Sequence, residues 1–76
     1  MELEQFIQNF AFQFDDTDTG VFNADTIFKD LAEWSSLIAL SVIAMVDEEY
    51  DVKLKGDDIR GSETIEDLYL IVKSRI

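Results

Sequence analysis

The sequence predicts an all-α fold: a small antiparallel four-helix bundle with three main helices, one short third helix and a long loop between the first two. Three observations carry that expectation. Apolar residues recur at helical spacing in the opening segment, a serine pair introduces an apolar run of helical length in the middle, and a capping motif opens the final segment. A chain of 76 residues is expected to form a single domain, 1–76, with a modest core. Such a domain buries only about 60–65% of the surface its unfolded chain exposes. That leaves no room for a second lobe enclosing a deep active-site cleft.

The first helix is expected over residues 2–14, where Leu3, Phe6, Ile7, Phe10, Ala11 and Phe14 share one face. An aromatic stripe at this spacing is core far more often than ligand site. Periodicity then disappears over residues 15–33. The run Asp15-Asp16-Thr17-Asp18-Thr19-Gly20 invites comparison with a calcium-binding EF-hand loop, but the spacing fails. With Gly20 at loop position six, positions three and five are Thr17 and Thr19, and Thr26 stands where a bidentate glutamate is required. No specific metal site is expected. A loop this long needs anchors, which Val21, Phe22, Ile27, Phe28 and Leu31 can supply by burial, with a short helical turn within residues 23–29. Trp34 is either a partner contact or an aromatic anchor that closes the loop over the bundle.

The second helix is expected over residues 36–50, with Ser35 or Ser36 as its hydroxyl cap. Its surface from Leu37 to Val46 is apolar nearly all round, and a helix in so small a protein cannot bury every face. Some of that surface is left for a partner, or lines a groove that accepts an apolar chain. Asp47, Glu48, Glu49 and Asp51 gather at the far end, where the helix dipole disfavours anions. A solvated acidic face is the commoner explanation of such a cluster, and a functional constraint is the sharper one. Gly56 and Gly61 bracket a short third helix with Ile59 as its buried contact. The last helix opens on Thr64, three residues before Asp67, and places Ile65, Leu68, Tyr69, Val72 and Ile76 on one face. Lys73 and Arg75 complement its carboxyl end.

Composition narrows the function. With no histidine and no cysteine, Ser-His-Asp and Cys-His chemistry, disulfides and thiolate zinc sites are all excluded. No lysine adjoins Ser36 and no Gly-x-Ser-x-Gly elbow occurs, so a stand-alone serine hydrolase has little support; the chain is read as a non-enzyme. Seventeen acidic residues against six basic ones give a net charge of −11. That repels nucleic acid and anionic lipid and favours basic protein surfaces, although acidity also serves solubility alone. No targeting segment and no apolar run long enough to span a bilayer is evident, so a cytoplasmic protein without membrane insertion is expected.

From Phe28 to the end of the last helix the pattern resembles the acyl carrier proteins. Ser35-Ser36-Leu37 is similar to the family's Asp-Ser-Leu attachment motif, Asp47 to Asp51 to the acidic end of its second helix, and Thr64-Ile65 to the start of its last. The resemblance implies that Ser36 carries a covalent 4′-phosphopantetheine arm, taken from coenzyme A by a separate phosphopantetheinyl transferase, whose thiol holds acyl intermediates as thioesters. It further implies a carrier for fatty-acid, polyketide or other specialised biosynthesis. Partner enzymes that transfer or ligate acyl groups would dock basic surfaces on Asp47 and Glu48 and make contacts at Leu37, Ile38, Leu40 and Ala44. A working carrier is expected to be a monomer, leaving that surface available. Ser35 replaces the family's aspartate, and Ile38 and Ser41 replace frequently acidic positions. Serine keeps the cap and loses the charge. Two readings therefore stand: a modified carrier with cognate enzymes of its own, or an unmodified carrier-like protein that binds or regulates a partner enzyme through the second helix.

Overall fold

The apolar stripe of the first segment produces a helix, α1, over Leu3–Ala11 in the computed structural model, which describes residues 2–76. The helix is shorter than its stripe. Past Ala11 the backbone tightens: Gln13 N donates to Phe10 O at 3.1 Å and Phe14 N to Ala11 O at 3.0 Å. These i→i+3 bonds end the helix while still turning Phe14 into the core, which is why the stripe outlasts the helix. The remaining helices are α2 over Ser36–Tyr50, α3 over Gly56–Arg60 and α4 over Ile65–Ser74, with single 3₁₀ turns at Thr19–Val21 and Phe28–Asp30. The class is all-α, with no β-strand among the described residues beyond an isolated bridge between Ile27 and Thr64. No described helix is long and apolar enough to cross a membrane.

α1 packs on α2 and α4, and α3 packs on α4. The radius of gyration, 11.0 Å, is what close packing gives a chain of this length, about 11 Å. Phe10 sits at the centre of the core with no exposed surface, its ring 5.4 Å from Phe28, 5.7 Å from Phe14 and 6.4 Å from both Phe22 and Trp34. These contacts hold the segment between α1 and α2 against α1. A domain of this size is stable by about 4–11 kcal/mol in total. Truncating a fully buried phenylalanine costs about 3–5 kcal/mol, so Phe10 alone accounts for a large share.

Of the expected loop anchors, Phe22 and Phe28 are buried and Leu31 is half-buried against the core, whereas Val21 and Ile27 are exposed. Val21 closes the first 3₁₀ turn and Ile27 spends its backbone on the bridge to Thr64, and two phenylalanines already fill the space beneath. Of the helical turn expected over 23–29, the first part is a single hydrogen-bonded turn, Thr26 N donating to Asn23 O at 3.2 Å with Thr26 Oγ1 accepting from Asn23 N and donating to Val21 O, and the 3₁₀ turn follows at Phe28–Asp30. Trp34 is half-buried and packs 4.9 Å from Phe28, the anchor position of its two expected roles.

The last third is built on carboxylates. Thr64 Oγ1 accepts from Asp67 N at 3.1 Å while Asp67 Oδ2 accepts from Thr64 N at 3.1 Å, the reciprocal cap expected from the sequence. Ile65, Leu68, Tyr69 and Val72 face the core, but Ile76 is 69% exposed because α4 ends at Ser74. Arg75 donates both guanidinium nitrogens to Asp58 at 2.8 Å, tying the end of α4 to α3. That pairing, with the Lys55 N–H, lowers the Asp58 carboxyl from 3.8 to about 2. A lowered carboxyl stabilises the fold above its unfolded pKa, so this tie is complete above pH 3.8 and is lost as pH falls toward 2.

One backbone position is held at a cost. Asp51, which ends α2, has φ 55° and ψ 40°, the left-handed region where side chains crowd the carbonyl and glycine does not. Its carboxylate also adds to the negative end of the helix dipole. The Asp51→Gly variant is expected to gain about 0.5–1 kcal/mol of stability, read as a higher urea midpoint with an unchanged slope.

Candidate functional site

Two serines open α2, and the structure gives them different work. Ser35 takes the extended cap conformation, and its Oγ accepts from Ile38 N at 3.3 Å. Ser36 is the first helical residue; its side chain is exposed and makes no hydrogen bond among the described residues. Capping accounts for Ser35 and leaves the Ser36 hydroxyl free.

The two longest capped helices differ at their amino ends. At α4 every early N–H is used: Ile65 N donates to Thr26 O at 3.2 Å, Glu66 N to Ala24 O at 3.1 Å and Asp67 N to the Thr64 hydroxyl. At α2 the N–H groups of Ser36 and Leu37 have no partner among the described residues, and no acidic side chain lies in the first turn. Unpaired amides at the positive end of a 15-residue helix favour an anion beside Ser36.

The approach to Ser36 is fixed by Glu33, a residue that sequence reading did not single out. Its carboxylate accepts from Asp15 N at 2.7 Å, Asp16 N at 3.0 Å, Thr17 N at 2.9 Å and the Thr17 hydroxyl at 2.7 Å. This is the true use of the acidic run once compared with a calcium loop: its backbone amides form a nest for an internal anion. The Asp15 amide, the Thr17 hydroxyl and the other two amides hold the Glu33 carboxyl below its ordinary value. Among the described residues no group of His, Cys, Asp or Glu side chains is placed to hold a metal ion. A carboxylate two residues before a helix cap carries no local signal of such a role, since its partners lie far back in the chain.

The other expected site residues lie along α2. Leu37 is 72% and Leu40 62% exposed, and Ala44 and Glu48 are exposed as well. At 100° per residue these four fall on one face, about 16 Å long, beginning beside Ser36. Ile38 is half-buried and packs against the core, so it reaches this face only at its edge. Asp47 is half-buried, and Lys53 Nζ donates to both its carboxylate oxygens at 2.7 and 2.8 Å, which raises the Lys53 amine above its ordinary range. Glu48 and Glu49 are exposed and form no ion pair among the described residues, so the unpaired charge of the acidic end lies on them and not on Asp47. Sequence reading also passed over Phe12, which is 83% exposed; its place off the buried stripe of α1 was the available signal.

No protein-family model, no curated protein and no solved structure matches the chain.

The Glu33 nest yields a pH-dependent expectation. Because the folded carboxyl is lowered from 4.5, its hold on the loop is complete above that value and is lost as pH falls through the lower folded pKa. Hydrogen exchange at the amides of Asp16 and Thr17 is expected to quicken in that acid window, beyond the intrinsic pH trend. In Glu33→Gln these amides are expected to be poorly protected at neutral pH, with protection in the α4 core unchanged.

Proposed function

We propose that the protein is a carrier of acyl intermediates, holding them as thioesters on a 4′-phosphopantetheine arm attached to Ser36 and delivering them to enzymes of fatty-acid, polyketide or other specialised biosynthesis. One observation carries this reading: Ser36 presents an exposed, unbonded hydroxyl at a helix end whose first two amides are open, while Ser35 does the capping. The residues present fit the group. A phosphodiester at Ser36 would lie against the N–H groups of Ser36 and Leu37 with no carboxylate in the first turn to repel it. When attached, the arm supplies a thiol that this cysteine-free chain otherwise lacks.

The chain's own part is presentation. Glu33 and the Trp34 ring hold the segment leading into α2, so the serine is offered on a fixed helix end and not on a mobile loop. Leu37, Leu40 and Ala44 continue outward from it as an apolar face, and Glu48 and Glu49 supply charge for a basic enzyme surface, which speeds encounter and selects partners. The packing of α1 on α2 and α4, and of α3 on α4, is what the four-helix arrangement of such carriers would require. A second reading keeps this docking face without the arm. It is favoured by Ser35, which brings no carboxylate to the attachment motif for a transferase to meet.

Intact-protein mass spectrometry separates the two. After incubation with coenzyme A, magnesium and a panel of phosphopantetheinyl transferases that includes the native host's, the chain is expected to gain the mass of one phosphopantetheinyl group, and Ser36→Ala is expected to gain nothing. No gain with any transferase would reject the carrier and leave the unmodified interaction protein.

A further inference from the structure

The groove between α1 and α2 has a wall, on the α1 side, that the proposed carrier function does not use. Phe12, just past the end of α1, is 83% exposed, more than any other large apolar side chain described. It walls a groove of about 570 Å³ together with Gln13 on its own side and Ser41, Ala44, Glu48 and Glu49 on α2. The walls are fixed relative to each other. Asn9 Nδ2 donates to the Tyr50 hydroxyl at 2.8 Å, Gln13 Nε2 donates to Asn9 O at 3.1 Å, and the Phe6 ring lies 5.8 Å from that of Tyr50. A groove already ordered spends little of a ligand's binding energy on its own organisation. At one end stand Glu48 and Glu49, with no basic residue in the last turn of α2 and the negative end of the helix dipole behind them.

We propose that this groove docks a positively charged amphipathic helix of a partner protein, seating one apolar side chain between Phe12 and Ala44 and setting lysine or arginine against Glu48 and Glu49. Charge complementarity selects this occupant. A second copy would bring another net charge of −11 to the same acidic rim, and an anionic lipid surface is repelled in the same way. An acyl chain would leave Gln13, Ser41 and both glutamates without partners along its length. Ala44 and Glu48 belong both to this groove and to the exposed face that starts at Leu37, so docking here extends that face toward α1. The proposal rests on the docking face already assigned to Ala44, Glu48 and Glu49, adds Phe12 and the α1 wall to it, and does not need an arm on Ser36.

The test uses the full ¹⁵N-labelled chain carrying Ser36→Ala, which cannot be modified, so its outcome is independent of the mass-spectrometric one. It is titrated with a synthetic leucine/lysine amphipathic helical peptide, with a scrambled peptide of equal composition and with a leucine/glutamate counterpart. Amide shifts are expected to gather at Asn9, Phe12, Gln13, Ala44, Glu48 and Glu49 with the first peptide only. Phe12→Ser, an exposed position whose fold is checked by circular dichroism, is expected to weaken binding about tenfold. The double variant Glu48→Gln/Glu49→Gln is expected to weaken it severalfold, by less as salt is added. Equal binding of the scrambled peptide, shifts centred elsewhere, or unchanged affinity in Phe12→Ser would overturn the proposal. So would self-association that Phe12→Ser abolishes, which assigns the groove to a second copy, or the same shifts on adding decanoate, which assigns it to an acyl chain.

Discussion

The fold depends on one ring. Phe10 leaves α1 into the centre of the core and meets Phe14, Phe22, Phe28 and Trp34, residues spread over the whole segment between α1 and α2. That segment has almost no regular structure of its own, and its apolar side chains have nowhere else to bury. Burial against Phe10 therefore fixes where the segment ends, and it ends at Ser35 and Ser36. A core residue on the first helix thus determines where the second helix can start.

Hydrogen bonding completes what burial begins. The amides of Asp15, Asp16 and Thr17 converge on Glu33, and the carbonyls of Ala24 and Thr26 turn outward to the first amides of α4. The segment is in this way both a receiver and a supplier of backbone partners, and no buried side-chain polar atom among the described residues lacks a hydrogen bond. Against the fully used amides at the start of α4, the amides of Ser36 and Leu37 at the start of α2 are open. The difference between α2 and α4 gives the serine its chemical setting.

Much of this was readable in the chain itself. The span of α2, its serine start, the Thr64–Asp67 cap and the buried face through Val72 all follow from periodicity and short-range capping, and the structure has them where spacing put them. The early end of α1 was not readable, because the stripe continues to Phe14 on a tightened turn, and side-chain spacing does not distinguish a tightened turn from a helix. Glu33 and the pairs Asn9–Tyr50 and Asp58–Arg75 were invisible for a different reason: each joins residues 16 or more positions apart, where sequence alone gives no register. Exposure was the other blind spot. Val21, Ile27 and Ile76 look like core by residue type and lie at the surface because larger neighbours or a helix end displaced them.

Trp34 has a consequence of another kind. It is the only tryptophan in the chain, it stacks parallel to Phe10 within 5°, and it lies two residues before Ser36. Its indole is half-buried and packs on Phe10, Phe14 and Phe28. The molecule thus contains a native fluorophore seated in the core cluster, two residues along the chain from the serine. Closure of the long segment on α1 therefore acts on its emission, without any label being introduced.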